Sequence, residues 1–133
     1  MTKKRYKIGG LIVLFLFLLL TIFYAITCNM IFQDVKSICI NAQHQYNGTP
    51  VQALVELLND DDQGFESKNK AVWALGQIGD AGALPTLKKL ETGIPCEKPC
   101  PKHKYICQYE LAKAIEGCSG GFSLTRWMYR TLT

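Results

Sequence analysis

The rhythm of apolar and polar positions divides this chain into stretches of different period. From Ile8 to Phe32 it is almost unbroken apolar sequence (IGGLIVLFLFLLLTIFYAITCNMIF). At 1.5 Å per residue that helix reaches about 37 Å, enough to cross a hydrocarbon layer with some tilt. After Gln33 the apolar positions thin to Val35, Ile38, Cys39 and Ala42, spaced as one helical face. They predict a short helix from about Asp34 to Gln45, running on from the apolar helix or bent away from it, that covers the open flank of the next helices in the chain. Asn47-Gly48 breaks it, Thr49 is placed to cap, and Pro50 takes the first helical position, where its missing N–H costs nothing. Val51, Leu54, Val55, Leu57 and Leu58 carry the next helix into the acidic turn Asn59–Asp62.

The stretch Lys68–Asp80 (KNKAVWALGQIGD) organises the rest. Ala71, Ala74, Leu75 and Ile78 fall at i, i+3, i+4 and i+7, one continuous helical stripe that fits no strand period. Gly76 and the alanines keep the stripe shallow, so another helix backbone can come close. Gly79 sits where the helix must stop at positive φ, and Asp80 is placed to cap the next helix. Ala-Val-x-Ala-Leu-Gly-x-Ile-Gly-Asp, followed by Ala83, Pro85, Leu87 and Leu90, resembles the HEAT-like repeat of the phycobilisome-lyase type, a two-helix solenoid unit. The resemblance covers Thr49 to about Cys118 and implies a fold, not a chemistry.

A second copy is legible. Leu54 and Leu57 recur as Leu87 and Leu90 at an offset of 33, on a helix from Ala83 to Glu91. Ala71, Ala74, Leu75 and Ile78 recur as Leu111, Ala114, Ile115 and Cys118 at an offset of 40. The inner loop of the second copy is therefore longer, and the additional residues lie in the proline-punctuated stretch Gly93–Pro101, which carries Cys96 and Cys100. The expected architecture is all-α: a transmembrane helix (8–32) behind a basic terminus (1–7), a connecting helix (33–48), a short α-solenoid of two HEAT-like hairpins (49–118) with an insertion at 93–104, and a terminal segment (119–133).

Charge sets the orientation and removes one class of partner. The chain has 15 basic and 11 acidic residues, and Lys3, Lys4, Arg5 and Lys7 account for the whole net charge of +4. The rest is balanced, with no clustered basic face of the kind nucleic acid requires. The basic cluster before the apolar run, against the lone Lys36 after it, points the amino terminus to the cytoplasm and the remainder outside. A cleaved signal peptide would have a shorter apolar core. A lipid anchor at Cys28 has the outline of a lipobox in Ala25-Ile26-Thr27-Cys28, with Thr27 where glycine or alanine is usual. The domain lies outside the cytoplasm on each of these readings.

Six cysteines in so short a chain are many. Cys107 and Cys118 share a helix and stand about 16 Å apart, so they cannot bond to each other. Cys96 or Cys100 is the natural disulfide partner of Cys107; Cys118 needs the remaining loop cysteine or Cys39. Such thiols oxidise outside the cytoplasm, and bridges would brace a short solenoid. The alternatives are a zinc site from Cys96, Cys100, His103 and Cys107, or Cys107 and Cys118 acting as small apolar residues. No Cys-x-x-Cys redox pair is present.

Catalytic signatures are missing: His44 and His103 are isolated, and there is no phosphate-binding loop or glycine-flanked nucleophilic serine. Asp60–Asp62 reads as a solvated turn rather than a calcium loop, and Asn47-Gly48-Thr49 matches a glycosylation acceptor that matters only in a eukaryotic secretory pathway. Trp73 points about 150° from the stripe, with Lys70 and Gln77 on the same side, where it can anchor a partner or lie beneath the insertion or the terminal segment. In that segment Leu124, Trp127 and Met128 share a side, fitted to close the last repeat, lie on the membrane interface or dock a partner. The function these residues predict is a non-catalytic interaction module without a cofactor: a scaffold, adaptor or accessory subunit in a bacterial envelope, with a membrane or envelope protein as partner and the bilayer held by residues 8–32. The alternative is a thiol, disulfide or zinc protein built on the loop cysteines.

Overall fold

The computed structural model describes residues 2–96, 100–121 and 126–129, with side chains from residue 9 onward except those of 126 and 127. Among them every regular element is helical: α1 (Thr2–Gln45), α2 (Pro50–Asn59), α3 (Phe65–Ile78), α4 (Leu84–Lys89) and α5 (Gln108–Cys118), with 3₁₀ turns at Ala81–Ala83 and Arg126–Tyr129. The chain divides into two units, residues 1–33 and 34–133.

The first unit is the apolar part of α1. Its side chains stand exposed, Leu11, Phe17 and Phe23 at 72%, 65% and 71%. The helix is long and apolar enough to cross a membrane, with a mean hydropathy of 2.8 over its most apolar window, and a signal sequence has the same character.

The second unit begins within α1, at Asp34; of the two expectations, a helix running on from the apolar one or bent away from it, a single helix Thr2–Gln45 is the first. Val35, Cys39 and Ala42 are fully buried there. The end of α1 is tied to the end of α2 by polar bonds: the Tyr46 hydroxyl donates to the Asp60 carboxylate, and Gln63 Nε2 donates to Gln45 Oε1 at 3.1 Å.

Helix α2 starts as its sequence dictates. Thr49 Oγ1 accepts from Gln52 N–H at 3.3 Å, Gln52 Oε1 accepts from Thr49 N–H at 2.9 Å, and Pro50 follows the cap. This reciprocal pair satisfies two of the donors a helix start leaves open. Helix α3 stops at Gly79, whose φ of 70° is the left-handed conformation that glycine adopts without a Cβ penalty. Asp80 Oδ1 accepts from Gly82 N–H at 2.7 Å and starts the 3₁₀ turn. That turn takes up Ala83, and the following helix runs Leu84–Lys89 against the expected Ala83–Glu91, ending two residues early as well.

The hairpins α2–α3 and α4–α5 stack with α3 packed most extensively on α5 and α2 touching α4. Leu54, Leu75, Leu87 and Leu111 are fully buried between them, each worth about 1.5–3 kcal/mol relative to exposure. The seam is shallow because glycines line it: a Cβ on Gly76 would stand 2.8 Å from Ala114 Cα, and one on Gly117 would stand 2.6 Å from Gly76 O.

Candidate functional site

The insertion between α4 and α5 is tied at its neck by one side chain and at its return by another. Gln108, the first residue of α5, accepts from Thr92 N–H at 2.9 Å through Oε1 and donates to Leu90 O at 3.1 Å through Nε2. Asn69, buried on α3, donates through Nδ2 to Lys102 O at 2.8 Å and Tyr105 O at 2.9 Å. Its Oδ1 accepts from Cys107 N–H at 2.8 Å. Three hydrogen bonds from one amide thus fix where the loop re-enters the fold and where α5 begins.

This clamp gathers three sulfurs. The Sγ atoms of Cys96, Cys100 and Cys107 all lie within 4.8 Å of one another, with Cys107 buried and the other two half-buried. Cys96 and Cys107 are 3.8 Å apart, sulfur to sulfur. Cys100 is held by the turn that comes after it, where Lys102 N–H donates to Cys100 O at 2.9 Å. Cys96 Sγ lies over the amino end of α5 and accepts from Gln108 N–H at 2.8 Å.

The two loop thiols are driven apart electrostatically. Burial acts to raise Cys96, but the N–H groups of Tyr109 and Gln108 and the neighbouring thiols of Cys100 and Cys107 outweigh it and hold Cys96 below the ordinary thiol value. Burial, then the adjacent sulfurs of Cys107 and Cys96, push Cys100 up to about 12. A helix amino terminus favours a thiolate in this way, and one ionised sulfur raises the cost of ionising the next.

The other expected site residues are elsewhere. His103 is outside the sulfur group; it is exposed and lines a groove of about 560 Å³ with Glu66, Asn69, Lys70, Trp73, Lys102 and Glu110. Cys118, at the far end of α5, donates its thiol to Leu75 O at 3.4 Å. Cys39 is buried on α1, which pushes its thiol up to about 11. No S–S bond joins any two of the six cysteines in the structure.

Trp73 is half-buried on α3 at the groove between α3 and α5, which Lys102 and His103 of the insertion also line. Gln77 continues the groove with Gly76 and Lys113. Lys70, beside it, pairs with Glu66 at 2.8 Å on the exposed face. Of the terminal segment, residues 122–125 and 130–133 and the Trp127 side chain lie outside the described residues, as do residues 97–99 of the insertion. The backbone turn Arg126–Tyr129 packs on α3 and buries Tyr129.

Asn69 and Gln108 are not among the residues that apolar spacing singles out. The usable signal is weak: Asn69, Val72 and Gly76 form a second row beside the Ala71–Ile78 stripe, and that row faces α5.

Residues 68–91, from α3 through α4, match the family described as PBS lyase HEAT-like repeat. No curated protein and no solved structure matches the chain. With α3 stacked on α5 through a glycine-lined seam and the repeat match lying across α3 and α4, residues 68–91 are similar to a HEAT-like repeat, and the all-helical fold of stacked hairpins fits an α-solenoid.

Proposed function

We propose that the chain is a membrane-anchored, non-catalytic interaction module, with its amino terminus in the cytoplasm and the α2–α5 domain on the other side. It serves as a scaffold or accessory subunit for another membrane or envelope protein. The observation that carries this reading is Trp73, left half-buried at the rim of an open groove beside the exposed Lys70–Glu66 pair. A tryptophan partly covered by its own fold and flanked by charge has the composition of an interface anchor. The exposed apolar surface of α1 supports anchoring in a bilayer, and the basic residues before it support the orientation.

The test is a photoreactive aromatic residue placed at position 73 of the full-length chain in intact cells, with the same group at Gln52, exposed on α2, for comparison. A discrete adduct formed from position 73 and not from position 52 is the expected result. No adduct from position 73, or the same adducts from both positions, removes the groove from the proposal.

A further inference from the structure

Three thiols converge at the amino end of α5, and no pairing of three cysteines uses them all. A disulfide joins two sulfurs at about 2.05 Å and leaves the third beside it. A metal ion uses all three. Two thiolates bound to one zinc at about 2.3 Å stand about 3.8 Å apart in a tetrahedron, and Cys96 and Cys107 are separated by 3.8 Å. Cys100 lies within 4.8 Å of both.

We propose that Cys96, Cys100 and Cys107 bind one thiolate-preferring d10 metal ion, Zn(II) or Cu(I), as a three-sulfur site. Soft thiolate ligands select these ions over magnesium, calcium or manganese. The surroundings supply what such a site needs beyond its ligands. Gln108 N–H donates to Cys96 Sγ, and Asn69 fixes Cys107 through its backbone N–H. Supporting bonds of this kind orient ligands and tune the metal. Binding forms three metal–sulfur bonds and breaks the S–H bonds of those cysteines still protonated, releasing their protons to solvent. Among the described residues the cluster contains three donors and omits His103; three sulfurs satisfy Cu(I), whereas zinc takes a fourth ligand besides them.

The test uses the full-length chain in detergent, fully reduced, titrated separately with Cd(II) as a spectroscopic stand-in for zinc and with Cu(I). The expected result is saturation at one equivalent with thiolate-to-metal charge-transfer absorption, for either ion or both; saturation by one ion alone assigns the site to that ion. Cys96→Ser and Cys100→Ser each weaken binding by more than about 100-fold, beyond the usual cost of losing a supporting residue. Both cysteines are half-buried loop residues, so the result does not depend on Cys107→Ser, which risks the fold at the start of α5. Cys39→Ala, Cys118→Ala and His103→Ala leave the titration unchanged. Absence of saturation with both ions, binding that survives both serine substitutions, or binding lost with Cys39 or Cys118 overturns the site.

Discussion

Asn69 shows how much one side chain can organise at the scale of a residue. Its amide makes three hydrogen bonds and is 6% exposed. Two of its partners are carbonyls of Lys102 and Tyr105, residues exposed on the loop, where water can replace the amide. The third is the N–H of Cys107, a buried residue at the start of α5, and a buried donor left unpaired costs about 1–3 kcal/mol. Asn69→Ala is therefore expected to lower stability by about that amount, read as a shift in the urea midpoint at constant slope. The Cys107 amide should also exchange its hydrogen faster than those of α2, because the opening is local. An equal change in exchange across both helices would assign Asn69 a general packing role instead. A mid-helix asparagine in sequence looks like a solvated position, so nothing but the tertiary contact reveals this one. The sulfur cluster was half legible: one alternative from sequence already put Cys96, Cys100 and Cys107 together, but it included His103, which lies outside the group on a loop path that no periodicity encodes.

Between elements, the α3–α5 seam decides whether two hairpins hold together. Its shallow character was readable from Gly76, because a residue without a side chain on a helix face permits close backbone approach. The caps at Thr49, Gly79 and Asp80 were readable for the same kind of local reason. The length of α4 was not: the helix ends early where Leu90 O turns to Gln108 Nε2, a partner far along the chain. Close approach predicts an inverted mutational sign at Gly76. Glycine to alanine in an open helix stabilises by about 1 kcal/mol, yet any Cβ here meets the Ala114 backbone at 2.8 Å. Gly76→Val should thus destabilise by about 1–3 kcal/mol through overpacking. A thermal melt checks it, and a raised midpoint would mean that the helices part without loss.

For the whole molecule, the division into two units carries the final argument. The second unit owns its core, since Leu54, Leu75, Leu87 and Leu111 are buried between α2, α3, α4 and α5. The first unit has no such core, and its large apolar side chains are exposed over the length of a bilayer. Keeping that surface in water costs about 25 cal/mol for each Å², whereas keeping it in lipid does not. A chain beginning at Asp34 should therefore leave the membrane pellet while keeping a helical circular-dichroism spectrum and a single cooperative melt. The full-length chain should stay in the pellet after alkaline washing. The intact mass of the protein recovered from pellet and supernatant then separates the three fates of α1. Retention of residues 8–32 is the outcome expected of an anchoring helix, a mass beginning at an acylated Cys28 is that of a lipoprotein, and loss of the apolar run is that of a cleaved signal. If the Asp34 chain instead aggregates or melts without cooperativity, the residues before Asp34 are needed for the repeat domain to fold, and the two units are not independent.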